Sequence, residues 1–251
     1  MKKFLLQMLF VILFSNFHAH AIIVESDNLE EVYKHIDQDS IAVFDIDDTL
    51  TEMPLDLGNW LNYQLSEIQK GGASLKKAYE FALPMFFIIT NFIKLIPIGN
   101  SPKIIDHLQD QNIPVVGLTS RSIPIVERTI EQLENVGIDF SINSLSEHPI
   151  KLSVTHAGIF CQGIIFSGPN DKGKMLFLLF EKIGYQPKKI IFVDDLLKNI
   201  KTVEREAQKH NIEFVGIRFS LQDEKKTNYS VENLKKNFYN LKIALGMEPL
   251  A

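Results

Sequence analysis

Three apolar runs of strand length, at residues 41–44, 113–118 and 189–193, each break off at a polar cluster and lead into a helical pattern. That alternation constrains the chain more than any other feature, because strands separated by helices assemble into a parallel sheet covered on both faces. Ligands of such sheets bind beyond the carboxyl ends of the strands. The three clusters, Asp45/Asp47, Thr119/Ser120/Arg121 and Asp194/Asp195, are therefore expected to meet at one rim. The first carries the most information. Residues 43–51 read Val-Phe-Asp-Ile-Asp-Asp-Thr-Leu-Thr. Carboxylates that close repel one another and lose hydration, and a bound cation is the commonest compensation.

The remaining elements follow the same logic. Asn28-Leu29-Glu30-Glu31 reads as a capping box for a short helix to about residue 36. Residues 52–100 interrupt the rhythm with Trp60, a helix at about 61–70, the Gly71-Gly72 breaker, a helix at about 75–81, and an apolar run at 83–98 bounded by Pro84 and Pro97. Ser101-Pro102 opens a helix to about residue 109, and Ser122 another to about residue 136, stopped by Gly137. Strand character returns at 159–166 and 213–217, and helical patterns at 173–183 and 198–210. Ser230 caps a final helix to about residue 245. At 251 residues the chain can form one large α/β domain, or a core with an insertion.

Composition narrows the function classes. The net charge of −5 comes without a Lys/Arg block, which argues against a nucleic-acid surface. Lys2 and Lys3, the apolar stretch 4–14 and Ala19-His20-Ala21 form the pattern of a secretory signal cleaved after Ala21. An uncleaved N-terminal anchor is the rival reading. On the first, the protein is exported, periplasmic or secreted, with no stable membrane span after signal removal. A single cysteine, Cys161, rules out an intramolecular disulfide, and its strand-like surroundings suit a packed, inert thiol.

Four segments carry a family resemblance: Asp45-Ile46-Asp47-Asp48-Thr49, Gly117-Leu118-Thr119-Ser120-Arg121, Lys172-Gly173, and Phe192-Val193-Asp194-Asp195 with Asn199. In order and spacing they resemble the four motifs of the haloacid dehalogenase (HAD) superfamily, over about residues 40–220. The form Phe-Asp-Ile-Asp-Asp-Thr behind a signal peptide is similar to secreted and periplasmic HAD acid phosphatases. The chain also resembles an uncharacterised secreted HAD-like family. The resemblance implies a three-layer, Rossmann-like α/β core with a parallel sheet and a helical cap inserted between the first two motifs. The expected layout is a signal peptide at 1–21, a core at 22–51 and 101–251, and a cap at 52–100.

It also implies roles. Asp45 would be the nucleophile, forming an aspartyl-phosphate, and Asp47 the general acid and base. Thr119 would bond a phosphoryl oxygen, with Ser120 and Arg121 also on the substrate. Lys172 would place a positive charge against that oxygen and Asp45. Asp45, the backbone carbonyl of Asp47, and Asp194 would hold Mg²⁺, with Asp195 supporting it through water. The implied activity is hydrolysis of a small phosphorylated substrate, a phosphate monoester, with Mg²⁺ as cofactor. A phosphomutase and a non-catalytic binding or host-interaction protein on the same scaffold are the alternatives.

Each residue also has an ordinary reading. Asp45 and Asp47 suit a strand-to-turn cluster, with Asp48 as a turn residue, and Thr119 and Asp194/Asp195 suit caps of the helices that follow. Arg121 is either an anion clamp or a solvated or paired arginine; Asn199 is either a support for the metal site or a helix-surface residue. Lys174 competes with Lys172. The run 83–98 serves packing within the cap, a hydrophobic pocket for a lipid-like or aromatic leaving group, or a homo-oligomer contact through the cap.

Overall fold

The computed structural model describes residues 20–246. The signal-peptide reading falls on residues 1–19, outside the described residues, apart from its last two positions.

The chain begins with β1 (Ala21–Ser26), a 3-10 helix at Leu29–Lys34, and β2 (Ser40–Phe44). β3 (Thr51–Glu52) precedes α1 (Leu57–Lys70) and α2 (Leu75–Phe92), and β4 (Ile96–Pro97) returns antiparallel to β3. α3 (Ser101–Asp110), β5 (Val115–Thr119) and α4 (Val126–Glu134) follow, then β6 (Ile150–Ser153), β7 (Ala157–Cys161) and β8 (Ile164–Phe166). The last part holds α5 (Lys172–Ile183), β9 (Lys189–Asp194), α6 (Leu197–Lys209), β10 (Glu213–Phe219), α7 (Asp223–Thr227) and α8 (Val231–Ala244).

Eight strands form one sheet in the order β1-β10-β9-β2-β5-β8-β7-β6. The six from β1 to β8 are parallel, and β7 and β6 close one edge antiparallel. Every residue of β2 and β5 is buried, which is why these strands read as unbroken apolar runs. Side chains alternate between faces. Ala42, Phe44, Ile191 and Val193 join one core layer, while Ile41, Val43, Ile190 and Phe192 join the other. The fold is thus the α/β, mostly parallel, helix-flanked sheet expected from the sequence.

A third apolar cluster lies over the sheet's carboxyl rim. It combines Met53, Leu57, Trp60 and Leu61 with Ile89, Ile93 and Leu95, and Leu234 of α8 packs into it. Trp60 stacks on Phe238 of α8 with ring centroids 4.5 Å apart. Much of the apolar run 83–98 is accounted for by this packing, although Phe92 stays 61 % exposed. Among the described residues no helix is long and apolar enough to cross a membrane.

Three local expectations need correction. α2 does not stop at residue 81 but continues through Pro84 to Phe92. Proline forfeits a helical hydrogen bond, yet Ile89 is fully packed and Met85 and Phe86 lie against the same cluster, so burial outweighs the loss. The stretch 159–166 is not one strand but the hairpin β7–β8, turning at Gln162 and Gly163 with φ of 46° and 74°. Asn143 and Gly137 likewise take positive φ at turns, but Gly163 is the position where no side chain fits, since a Cβ there would lie 1.9 Å from the Phe140 carbonyl oxygen. Finally, β1, β6 and α7 are elements the sequence patterns did not announce.

Candidate active site

β2 sits between β5 and β9, so the residues just past these three strands converge. Asp45 continues β2, its N–H bonded to the Val193 carbonyl at 2.9 Å. Across the rim, Lys172 is the first residue of α5, whose N-terminus is capped by Asp171 accepting from the Lys174 N–H at 3.0 Å. The Lys172 Nζ lies 2.7 Å from Asp45 Oδ1 and 2.8 Å from Asp194 Oδ2, and all three side chains are buried. Lys174, the competing lysine, is exposed. The Lys172-Gly173 order has a physical reason. Gly173 sits against α6, where a Cβ would come within 2.1 Å of the Thr202 carbonyl oxygen, so only glycine brings Lys172 this close to the rim.

Carboxylate oxygens of Asp45, Asp194 and Asp195 lie within 4.8 Å of one another, all three residues buried. Asp194 is further held by the Leu196 N–H at 2.8 Å and by the Asn199 amide, which donates to both of its oxygens at 3.0 and 3.1 Å. Asn199 therefore belongs to the site and not to the helix surface. Asp195 receives Lys226 of α7, which also reaches Asp48 at 3.1 Å. Lys226 is a site residue that sequence reasoning missed; it lies on a short helix that no motif marks. Asp48 is the turn residue it was read as, with φ of 60° and its N–H on the Thr51 carbonyl.

The charges do not balance. Asp45, Asp47, Asp48, Asp194 and Asp195 face Lys172, Lys226 and Arg121, five carboxylates against three cations. Burial, opposed by Lys172 and reinforced by the charges of Asp194 and Asp195, pushes the Asp45 carboxyl well above the usual carboxylate range. Burial raises Asp48 and Asp195 as well, with Lys226 opposing. Burial alone would lower Lys172, but Asp194 and Asp45 on either side raise it and keep it charged. Two uncompensated negative charges amid hard oxygen donors suit one divalent cation.

Asp47 points elsewhere. Its carboxylate takes a two-pronged pair from Arg121, Nε to Oδ2 at 2.9 Å and Nη2 to Oδ1 at 2.7 Å, and is outside the buried group of three. Arg121 is itself buried, with Nη1 donating to Thr129 Oγ1 at 3.1 Å and Gln132 Oε1 at 2.9 Å. Gln132 donates in turn to the Thr90 and Ile93 carbonyls at the end of α2. Arg121 is thus paired with Asp47. Thr119 is buried at the end of β5, its hydroxyl oxygen accepting the Arg121 N–H at 3.1 Å, and Ser120 beside it is exposed. Cys161 lies on β7, where burial raises its thiol, as suits an unreactive cysteine.

The profile of a family described as "Protein of unknown function (DUF2608)" matches residues 25–250. The chain belongs to this family. Among relatives of this DUF2608 protein is a Chlamydia pneumoniae protein named "Putative outer membrane protein", 26 % identical over 215 residues, 83 % of this chain and 81 % of that one. Among solved structures, the chain is similar to a haloacid dehalogenase-like family hydrolase from Streptococcus pneumoniae, at 13 % identity and a TM-score of 0.45, covering 72 % of this chain and 95 % of that one. It is also similar to the class C acid phosphatase from Bacillus anthracis, at 13 % identity and a TM-score of 0.41, covering 83 % and 81 %.

Proposed function

We propose that this protein is an exported, Mg²⁺-dependent phosphatase that hydrolyses phosphate monoesters through an aspartyl-phosphate on Asp45. The observation that carries the reading is Lys172 bridging Asp45 and Asp194, with an Asp195 oxygen in the same small cluster. Export is supported by the sequence of residues 1–21 and by the name of the chlamydial relative.

The reaction assigns work to each side chain. Asp45 attacks phosphorus, and the ester P–O bond breaks as Asp47 gives a proton to the leaving oxygen. Water then attacks the aspartyl-phosphate, Asp47 takes its proton, and inorganic phosphate leaves. Lys172 holds Asp45 in place and lends positive charge to the phosphoryl group, and Thr119 and Ser120 offer hydroxyls to it. Asp45, Asp194 and Asp195 would hold Mg²⁺, which when bound supplies charge that offsets repulsion between the nucleophile and the phosphoryl oxygens. Asp47 is an acceptor only while it faces Arg121, so it must turn from that pair to act as acid.

The test is release of phosphate from a panel of monoesters. Activity is expected with Mg²⁺, to vanish on chelation, and to fall at least about 1,000-fold in Asp45→Asn, which keeps the side-chain shape but removes the nucleophile. A wild-type protein that releases no phosphate from any ester would refute the reading and leave a binding role for the scaffold.

A further inference from the structure

Between α1 and the rim lies a pocket of about 300 Å³. Small-molecule sites run from roughly 300 to 1,000 Å³, so this one has room for a single ring or a short alkyl group. Its outer wall is apolar, formed by Met53, Leu61, Leu65 and Phe86, and its inner end opens on Asp47 and Arg121. Asp45 does not itself line it, but Asp47, Asp48 and Ser120 do, and on the phosphatase reading a monoester with phosphorus at Asp45 would extend its organic group past them into this space.

Gly58 marks this space. It stands in the first turn of α1 and does not take a positive φ, so the backbone does not demand glycine. An added Cβ would meet no atom within 4 Å, so packing within the protein does not demand glycine. It lines this pocket and also the smaller, polar one beside it that holds Asp56, Asn59 and Lys225. The charged lining residues are Asp47, Asp48 and Arg121. Arg121 has Nε, Nη1 and Nη2 all engaged by Asp47, Thr129 and Gln132. The uncharged polar lining is Asn62 and Ser120 alone, so a polyhydroxylated group would lose water against a wall that is mostly apolar.

We propose that the pocket selects phosphate monoesters of small, uncharged, apolar alcohols, with an aromatic ring or an alkyl group of similar size as the organic part. This rests on the phosphatase reading above.

Benzyl phosphate and glycerol 3-phosphate test the assignment, because both release an unactivated alcohol and differ in the organic group. With Mg²⁺ present, kcat/KM is expected to favour benzyl phosphate by about tenfold or more. Gly58→Leu, which fills the pocket, is expected to erase that preference and to abolish calorimetric binding of benzylphosphonate, with the fold checked by its melting temperature. Should Gly58→Leu not fold, Leu65→Asn supplies the same readout by making the wall polar. Equal kcat/KM for the two esters, or a Gly58→Leu loss that falls equally on both, overturns the substrate class and leaves the phosphatase reading standing. If no ester is hydrolysed but benzylphosphonate binds the wild type and not Gly58→Leu, the phosphatase reading falls and the pocket assignment holds. Failure of benzylphosphonate to bind the wild type overturns the pocket assignment itself.

Discussion

Lys172 touches two carboxylates that would otherwise face each other in a buried space. Removing one partner of a buried ion pair leaves an uncompensated charge and costs about 3–5 kcal/mol. Lys172→Met is therefore expected to lower the unfolding free energy by about that amount, read as a shifted denaturation midpoint, and to abolish turnover. Lys172→Arg is not expected to rescue it, because a planar guanidinium cannot take the place of a point charge between Asp45 and Asp194. The residue scale is also where the sequence was most legible. Asp45, Thr119, Lys172 and Asp194 each sit at the end of a strand or the start of a helix, so local pattern fixes their address. Arg121 and Asn199 kept two readings until their partners were known, because a side chain's partner 74 residues away leaves no trace in its own segment.

At the scale of elements, α5 aims Lys172, and Asp171 sets its first turn. Asp171 also receives Arg205 of α6 at 2.6 Å. Burial would raise its carboxyl, but the Lys174 N–H and Arg205 outweigh burial and hold it below the ordinary value. A depressed carboxyl adds stability above its unfolded value, and that stability is lost as pH falls through its folded one. Asp171→Ala is thus expected to destabilise by about 1 kcal/mol at neutral pH, as loss of an N-cap does. The gap to wild type should close in the acid range below about pH 4. Denaturation curves of both proteins across pH would show it. The elements that escaped sequence reading share a cause. α2 runs through Pro84 because tertiary burial overrides a local breaker. β6 and the β7–β8 turn depend on pairing across the sheet edge, and α7 is too short for periodicity to register.

For the whole molecule, the excess of negative charge at the rim opposes folding, and anything that binds the folded cluster stabilises the chain by mass action. At one hundred times its dissociation constant, Mg²⁺ is expected to add about 2.7 kcal/mol. For a chain of this size that is a rise of roughly 5–10 °C in melting temperature. Asp194→Asn and Asp195→Asn should each reduce the rise, and a melting temperature indifferent to Mg²⁺ would contradict the proposed metal site.

The cluster gathers residues from Asp45 to Lys226, and β2 takes its neighbour β9 from nearly 150 positions downstream. A nascent chain leaving the ribosome holds Asp45 early but cannot complete its surroundings until α7 has been synthesised. The cluster is therefore incomplete throughout most of translation, and a truncated product ending before residue 226 would carry every one of the four motifs without the cation that pairs with Asp48 and Asp195.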